Sequence, residues 1–319
     1  MQKKEYSVEI GGKKLTAIFS DLAEQAHGSV LLKYGETIVL ATACMSKDSH
    51  EGLGFFNLTV DYVEKFYAAG KILGSRFVRR EGKPSEEAIL ASRVIDRTLR
   101  PLFDQSIRHA VQVIVTVLSV DENDPTILAV NAASLALAVS NVPWAGPVGC
   151  VRIGKYEDKD NNDNLIINPA QSLRLDEGLQ YKFDLTVCGK DGNINMIEAS
   201  AHQTTEDELE EALKMASLEI TKLENFQKEI VKEIGKEKRV IEKVKISPAS
   251  LELFNKNILP KMADAIFAGA GKAKIDELHT IWNDLVKDTF KEQEDFSAED
   301  NLFDDTENEI LHKKAIEEN

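Results

Sequence analysis

The stretch Ile127–Ser140, ILAVNAASLALAVS, limits what this chain can fold into more than any other, because it is apolar nearly all the way round a helix. A helix without a polar face has to be buried on every side. Asp124 precedes it as a candidate N-cap, and Pro125 suits the first helical turn. The apolar run falls well short of the ~20 residues that cross a bilayer, so the pattern predicts a core helix and not a membrane span. Such a helix needs layers around it.

The flanking sequence supplies strands for those layers. Lys4–Ile10 and Lys13–Phe19 flank Gly11-Gly12, and Val30–Tyr34 and Thr37–Ala43 flank Gly35-Glu36, each a two-residue hairpin pattern. Phe55–Tyr62 alternates as a further strand, and Val111–Val120 is a β-branched run that fits a buried one. Glu64–Gly82 reads as a loop with glycines at 70, 74 and 82. Pro84-Ser85-Glu86-Glu87 then opens a helix that stops at Pro101. Beyond the core helix, strands are predicted at Pro147–Ile153, Leu165–Asn168, Tyr181–Cys188 and Asn193–Ala199. The pattern changes at Thr204–Asp207, which caps a helix running to about Gly235. After Lys236 only helices are predicted, at 248–268, 273–294 and 307–318. The expected architecture is an α+β domain over residues 1–236 and a small all-α domain over 237–319, joined through the charged segment GKEKRVIEKVK.

The formal net charge of −15 speaks at first against a polyanionic partner. Its distribution reverses that. Asp288–Asn319 holds twelve acids against three lysines, whereas Arg76–Arg108 holds eight Arg or Lys against five acids. Charges are screened beyond ~8–10 Å, so the local excess of cations decides, and the island is admissible as an anion site. Cys44, Cys150 and Cys188 lie far apart without a C-x-x-C pair, which excludes a zinc ribbon and fits a reducing compartment. The start, MQKKEYSVEIGG, lacks the apolar run of a signal peptide, and a soluble cytoplasmic protein is expected.

Within the island, Arg76, Phe77, Arg79, Arg80 and Lys83 combine guanidiniums that pair bidentately with phosphate and an aromatic that can stack on a base. The alternative is a solvated loop whose arginines pair with Glu81, Glu86 and Glu87. Arg93, Arg97 and Arg100 follow on one helix face at spacings of four and three. Three aligned guanidiniums with only Asp96 among them ask for anions, and salt bridges between subunits are the alternative. Catalytic candidates are thinner. The six histidines are scattered, and Asp61, Asp176, Glu177, Asp184 and Glu198 could pair only in space. No P-loop, nucleophile elbow or dinucleotide fingerprint is present, so no catalytic residue and no metal ligand is assigned.

The string Tyr67-Ala68-Ala69-Gly70-Lys71-Ile72-x-Gly74-Ser75-x-Phe77-x-Arg79-Arg80-Glu81-Gly82-x-Pro84-Ser85 resembles the polynucleotide phosphorylase family. So do Arg93-Val94-Ile95-Asp96-Arg97 and Leu99-Arg100-Pro101-Leu102-Phe103, and the hairpin start, the buried helix, Gly146-Pro147-Val148-Gly149 and Ile197-Glu198-Ala199-Ser200-Ala201 extend the similarity to about residue 202. The resemblance implies an RNase PH-like (ribosomal protein S5 domain 2-like) domain followed by the family's linking α-helical domain. Members carry two such domains in tandem and then K-homology and S1-type RNA-binding domains. They assemble as ring-shaped trimers and degrade single-stranded RNA from its 3′ end. Inorganic phosphate is the nucleophile, a divalent metal such as Mg²⁺ is needed, and nucleoside diphosphates are released.

This chain is similar to the first copy, and its departures from the active second copy are specific. The active copy has an S-N-G-S-S turn that cradles phosphate, where Asp121–Thr126 reads DENDPT here. The active copy also has a G-D-x-D-F motif, where this chain has Tyr181-Lys182-Phe183-Asp184, with Lys182 in place of the first acid. The family's F-F-R-R loop corresponds to Phe77-Val78-Arg79-Arg80, with one aromatic fewer. The resemblance therefore implies an RNA-gripping, ring-forming copy that binds no Mg²⁺ or phosphate by itself. Its partners would be RNA, two further copies and RNA-degradation assembly proteins, with neither DNA nor membrane involved. A stand-alone RNA-binding or scaffold module and a free-standing exonuclease are the rival readings.

Overall fold

The computed structural model describes residues 3–49, 55–74, 82–157, 163–174, 180–241, 246–267, 269, 272–291 and 296–317. In chain order the elements begin with β1 (Lys4–Ile10), β2 (Lys13–Phe19), β3 (Gly28–Tyr34), β4 (Thr37–Met45), β5 (Leu58–Val63), α1 (Glu86–Leu99), β6 (Val111–Ser119) and α2 (Pro125–Val139). They continue with β7 (Gly149–Glu157), β8 (Asp163–Ile167), α3 (Gln171–Arg174), β9 (Gln180–Lys190), β10 (Asn193–Ala201) and α4 (Glu206–Ile234). The last four are α5 (Pro248–Asn257), α6 (Leu259–Ile266), α7 (Ala273–Thr289) and α8 (Ser297–Glu317). Two compact units result. The first holds most of the chain up to Val240, and the second holds the chain from Ile241 on together with Gln105–Arg108.

The first unit contains two sheets, ordered β1-β2-β3-β4-β6-β5 and β10-β9-β7-β8. All pairings are antiparallel except β5 with β6. The hairpins turn where glycine is required: Gly11 and Gly12 have φ of 56° and 74°, and Gly35 has φ of 62°. As expected, α2 is the core, with every residue from Ile127 to Val139 buried. It packs on β3 and β4 from one side and meets β7 and α4 on the other. The approach is so close that a Cβ on Gly28 would stand 2.1 Å from the Ala136 carbonyl oxygen.

Polar side chains complete the open edge of β7. β8 pairs only from Ile153 onward, which leaves the preceding backbone without a neighbouring strand on that side. Asn131 of α2 accepts from Cys150 N–H (3.0 Å) and donates to Cys150 C=O (2.8 Å). Two residues earlier, Ser134 accepts from Val148 N–H (2.9 Å) and Gln227 donates to Val148 C=O (2.7 Å), while Ser134 donates to Gln227 (2.7 Å). Two residues later, Asn168 side-chain oxygen accepts from Arg152 N–H at 2.9 Å. Each buried backbone group thereby finds a partner.

The start of the charged segment after α4 is tied to α2, and two expected helices need correction. Lys236 N–H donates to Val139 C=O and Arg239 N–H to Asn141 C=O, at 3.0 and 2.8 Å. Lys238 Nζ donates to the Leu137, Ala138 and Ser140 carbonyls at 2.8, 3.0 and 2.8 Å, capping the C-terminus of α2. Burial pulls its pKa down to about 8. The helix expected at 248–268 is two, α5 and α6, because Pro260 occupies the first turn of α6, where its missing N–H costs nothing. The last helix begins at Ser297 instead of residue 307. Its first turns are anchored by Trp282 Nε1, which donates to Glu299 C=O at 3.0 Å, and by buried Phe303. In this second unit Phe254, Ile258, Met262, Trp282 and Phe303 make a separate core. Among the described residues no helix is long and apolar enough to cross a membrane.

Candidate nucleic-acid interface

Helix α1 positions the described part of the basic island. Ser85 caps it by accepting from Ala88 N–H at 3.0 Å, and Glu86 and Glu87 face the positive end of its dipole. Ala88, Ala91, Val94, Ile95 and Leu99 are buried, which turns the arginine positions outward. Lys83 lies exposed just before the cap. Arg76, Phe77, Arg79 and Arg80 fall outside the described residues.

The three arginines of α1 do not form one uniform ridge. Arg93 is exposed and has no ion-pair partner among the described residues. Arg97 Nη1 donates to Glu198 on β10 at 3.1 Å, with both side chains about half exposed. Arg100 is held inward: its Nε and Nη2 grip both oxygens of Asp96 at 2.8 and 2.6 Å, and Nη2 also reaches Leu58 C=O at 3.2 Å. Asp96 is thus neutralised by its own helix. Val60, Ser92, Arg93, Asp96 and Arg97 enclose an open pocket of about 370 Å³, with Arg93 and Arg97 as its cations.

The acidic turn before α2 is tied up internally. Asp121 accepts from Thr37 Oγ1 (2.6 Å), Glu36 N–H (2.7 Å), and both the backbone (2.8 Å) and side chain (2.7 Å) of Asn123. Burial alone would raise its pKa, but these bonds bring it down to about 2. Asp124 caps α2 by accepting from Thr126 N–H at 2.8 Å, and it also pairs with Arg152 and, at 3.2 Å, with Arg174. Asp184 takes Arg152 through both oxygens at 2.6 and 2.9 Å, and Arg174 at 3.2 Å. Asp124, Arg152, Asp184 and Arg174 therefore close a neutral ring of two acids and two arginines, all mostly buried.

Beside that ring, β9 carries a bulge. Lys155 pairs with Phe183 and Tyr156 with Tyr181, so Lys182 is the extra residue and its side chain is re-aimed. Lys182 Nζ lies 3.4 Å and Lys155 Nζ 2.6 Å from Glu208. Glu208 also closes the capping box of α4 with Thr205. The hydrogen bond from Lys155, with that from Thr205 N–H, holds the Glu208 carboxyl at about 2. Of the acids that sequence marked as able to pair only in space, Asp184 and Glu198 meet arginines, and Asp61 accepts from Gln112 at 3.3 Å. Asp176 and Glu177 lie outside the described residues. Arg152 and Arg174 were not legible as site residues, because their partners sit 10 to 50 positions away. Among the described residues no three His, Cys, Asp or Glu side chains could hold a metal together.

Residues 12–143 match the family described as 3′ exoribonuclease family, domain 1, and residues 146–218 match its domain 2. The chain belongs to this family. Among curated proteins, the chain is similar to the polyribonucleotide nucleotidyltransferase of Halalkalibacterium halodurans, 38% identical over 318 residues, 99% of this chain and 43% of that protein. The protein of that name from Caldicellulosiruptor saccharolyticus is 39% identical over 322 residues, 100% of this chain and 44% of its own length. That of Thermomicrobium roseum is 48% identical over 236 residues, 74% of this chain and 29% of its own. The chain thus spans less than half the length of these relatives. Among solved structures, the crystal structure of rice Rrp46 aligns with a TM-score of 0.52 at 13% identity, over 72% of this chain and 94% of that one. At that identity the likeness speaks for the fold alone.

Proposed function

We propose that this chain is the first RNase PH-like copy and helical linking domain, divided near Lys236, of a phosphorolytic 3′-to-5′ exoribonuclease. In this reading it grips single-stranded RNA and forms part of a ring of three subunits, while the chemistry belongs to the remainder of the protein. The observation that carries the reading is the neutral Asp124–Arg152–Asp184–Arg174 ring. Both oxygens of Asp184 are committed to guanidiniums, and Lys182, where the resemblance would place an acid, is turned to Glu208. These residues do not fit a magnesium ion, which needs free carboxylate oxygens. The turn at 121–126 offers carboxylates where an incoming phosphate needs donors. In the complete enzyme Mg²⁺ and inorganic phosphate would act at another site, in a cytoplasmic assembly with RNA-degradation partners and without DNA or membrane.

RNA affinity then comes from backbone contacts that are blind to sequence, which suits a protein that feeds any RNA along a path. Arg93 and Arg97 are the described cations with room for a phosphate, and Arg76, Arg79, Arg80 and Lys83 would extend the track. Arg93→Ala combined with Arg97→Ala should weaken oligoadenylate binding by roughly tenfold and reduce the salt slope by ~0.7 per lost phosphate contact. Wild-type affinity with an unchanged slope in a salt titration followed by fluorescence anisotropy would remove α1 from the interface.

A further inference from the structure

We propose that Glu198 is an internal competitor for RNA phosphate at Arg97, and so tunes how tightly and how reversibly the α1 ridge holds the strand. This rests on the RNA-gripping reading above. The argument begins with the graded engagement of three arginines on one helix. Arg100 is locked by a two-point pair with Asp96 and by the Leu58 carbonyl. Arg93 has no ion-pair partner among the described residues. Arg97 lies between these extremes, holding one oxygen of Glu198 through one nitrogen at 3.1 Å.

That single contact is built to exchange. The side chains of Arg97 and Glu198 are 52% and 47% exposed, so water and salt compete with the pair and its net value is small. A phosphodiester offers a guanidinium two acceptor oxygens in fork geometry, a better partner than one carboxylate oxygen. Arg93 and Arg97 line the same pocket of about 370 Å³, so a phosphate placed there meets two cations, whereas Glu198 meets only one. The other acid on that pocket, Asp96, is already neutralised by Arg100 and does not repel the newcomer. Glu198 sits on β10, an outer strand of its sheet, with its side chain exposed, and swings aside without disturbing the core. Glu198 therefore stands in for phosphate when RNA is absent and yields when it arrives. A site of this kind binds more weakly than a bare arginine pair and releases faster, which lets a strand advance.

The test measures anisotropy of a labelled oligoadenylate with wild type, Glu198→Gln and Glu198→Ala, from about 50 to about 200 mM salt. Both variants should bind ~3–10-fold more tightly at the low end, with a steeper salt dependence, because no carboxylate has to be displaced. Introducing Arg97→Ala should erase the gain in both. Glu198 variants that bind RNA no better than wild type, with melting temperatures lowered, would mean that the pair only ties α1 to β10, and would overturn the proposal. A gain that survives Arg97→Ala would overturn it too. If wild type and all variants fail to bind RNA at any salt, the gripping reading itself falls, and this proposal with it.

Discussion

Asp121 draws four hydrogen bonds onto one carboxylate, and through them fixes the β3–β4 hairpin to the turn that starts α2. Gly35 faces this knot with φ of 62°, and a Cβ there would come within 2.4 Å of Asn123 Nδ2 and 2.6 Å of Asp121 Oδ2. Asp121→Ala should cost roughly 1–3 kcal/mol, since donors that had a charged acceptor lose it. The pH dependence has a definite sign. The folded-state pKa of about 2 lies below the ordinary 3.8, so the stabilisation is complete above about 4 and disappears as pH falls through about 2. Urea unfolding of the two proteins should therefore show a gap at neutral pH that narrows on approaching pH 2. A gap independent of pH would mean that the charge is not what stabilises the knot.

At the scale of elements, the relation of α2 to β7 shows both what sequence could tell and what it could not. The apolar wheel of Ile127–Val139 was enough to place the helix in the core, and Asp124 was legible as its cap. Asn131 and Ser134 are the polar residues within that wheel. They turn out to be hydrogen-bond partners for backbone groups of Cys150 in β7 and of Val148 just before it, up to 19 residues away, and no local pattern announces such a pairing. The same limit hid the Asp124–Arg152–Asp184–Arg174 ring and the bulge at Lys182, both of which depend on strand register. Pro260, by contrast, was visible, and a reading that let the amphipathic pattern run through it lost the break between α5 and α6. Asn131→Ala should destabilise the protein by roughly 2–4 kcal/mol by stranding Cys150 N–H and C=O in a dry interior. A denaturant midpoint indistinguishable from wild type would show that the edge of β7 finds its partners elsewhere.

For the molecule as a whole, a net charge of −15 and an RNA-binding role are compatible because the acids and the cations are segregated along the chain. Sequence made the strand-rich and helical halves legible, along with the kinship, whereas the fate of each charged residue required the fold. Several acids that could have served chemistry are bound to arginines or lysines of the same chain. Arg93 and Arg97 remain exposed on α1. On the function proposed above, this chain binds RNA without cutting it. The direct measurement is incubation of the chain with a 5′-labelled oligoadenylate, inorganic phosphate and Mg²⁺, following binding, strand length and release of ADP together. The account predicts a bound strand of unchanged length and no ADP, and phosphate-dependent shortening with ADP release would contradict it.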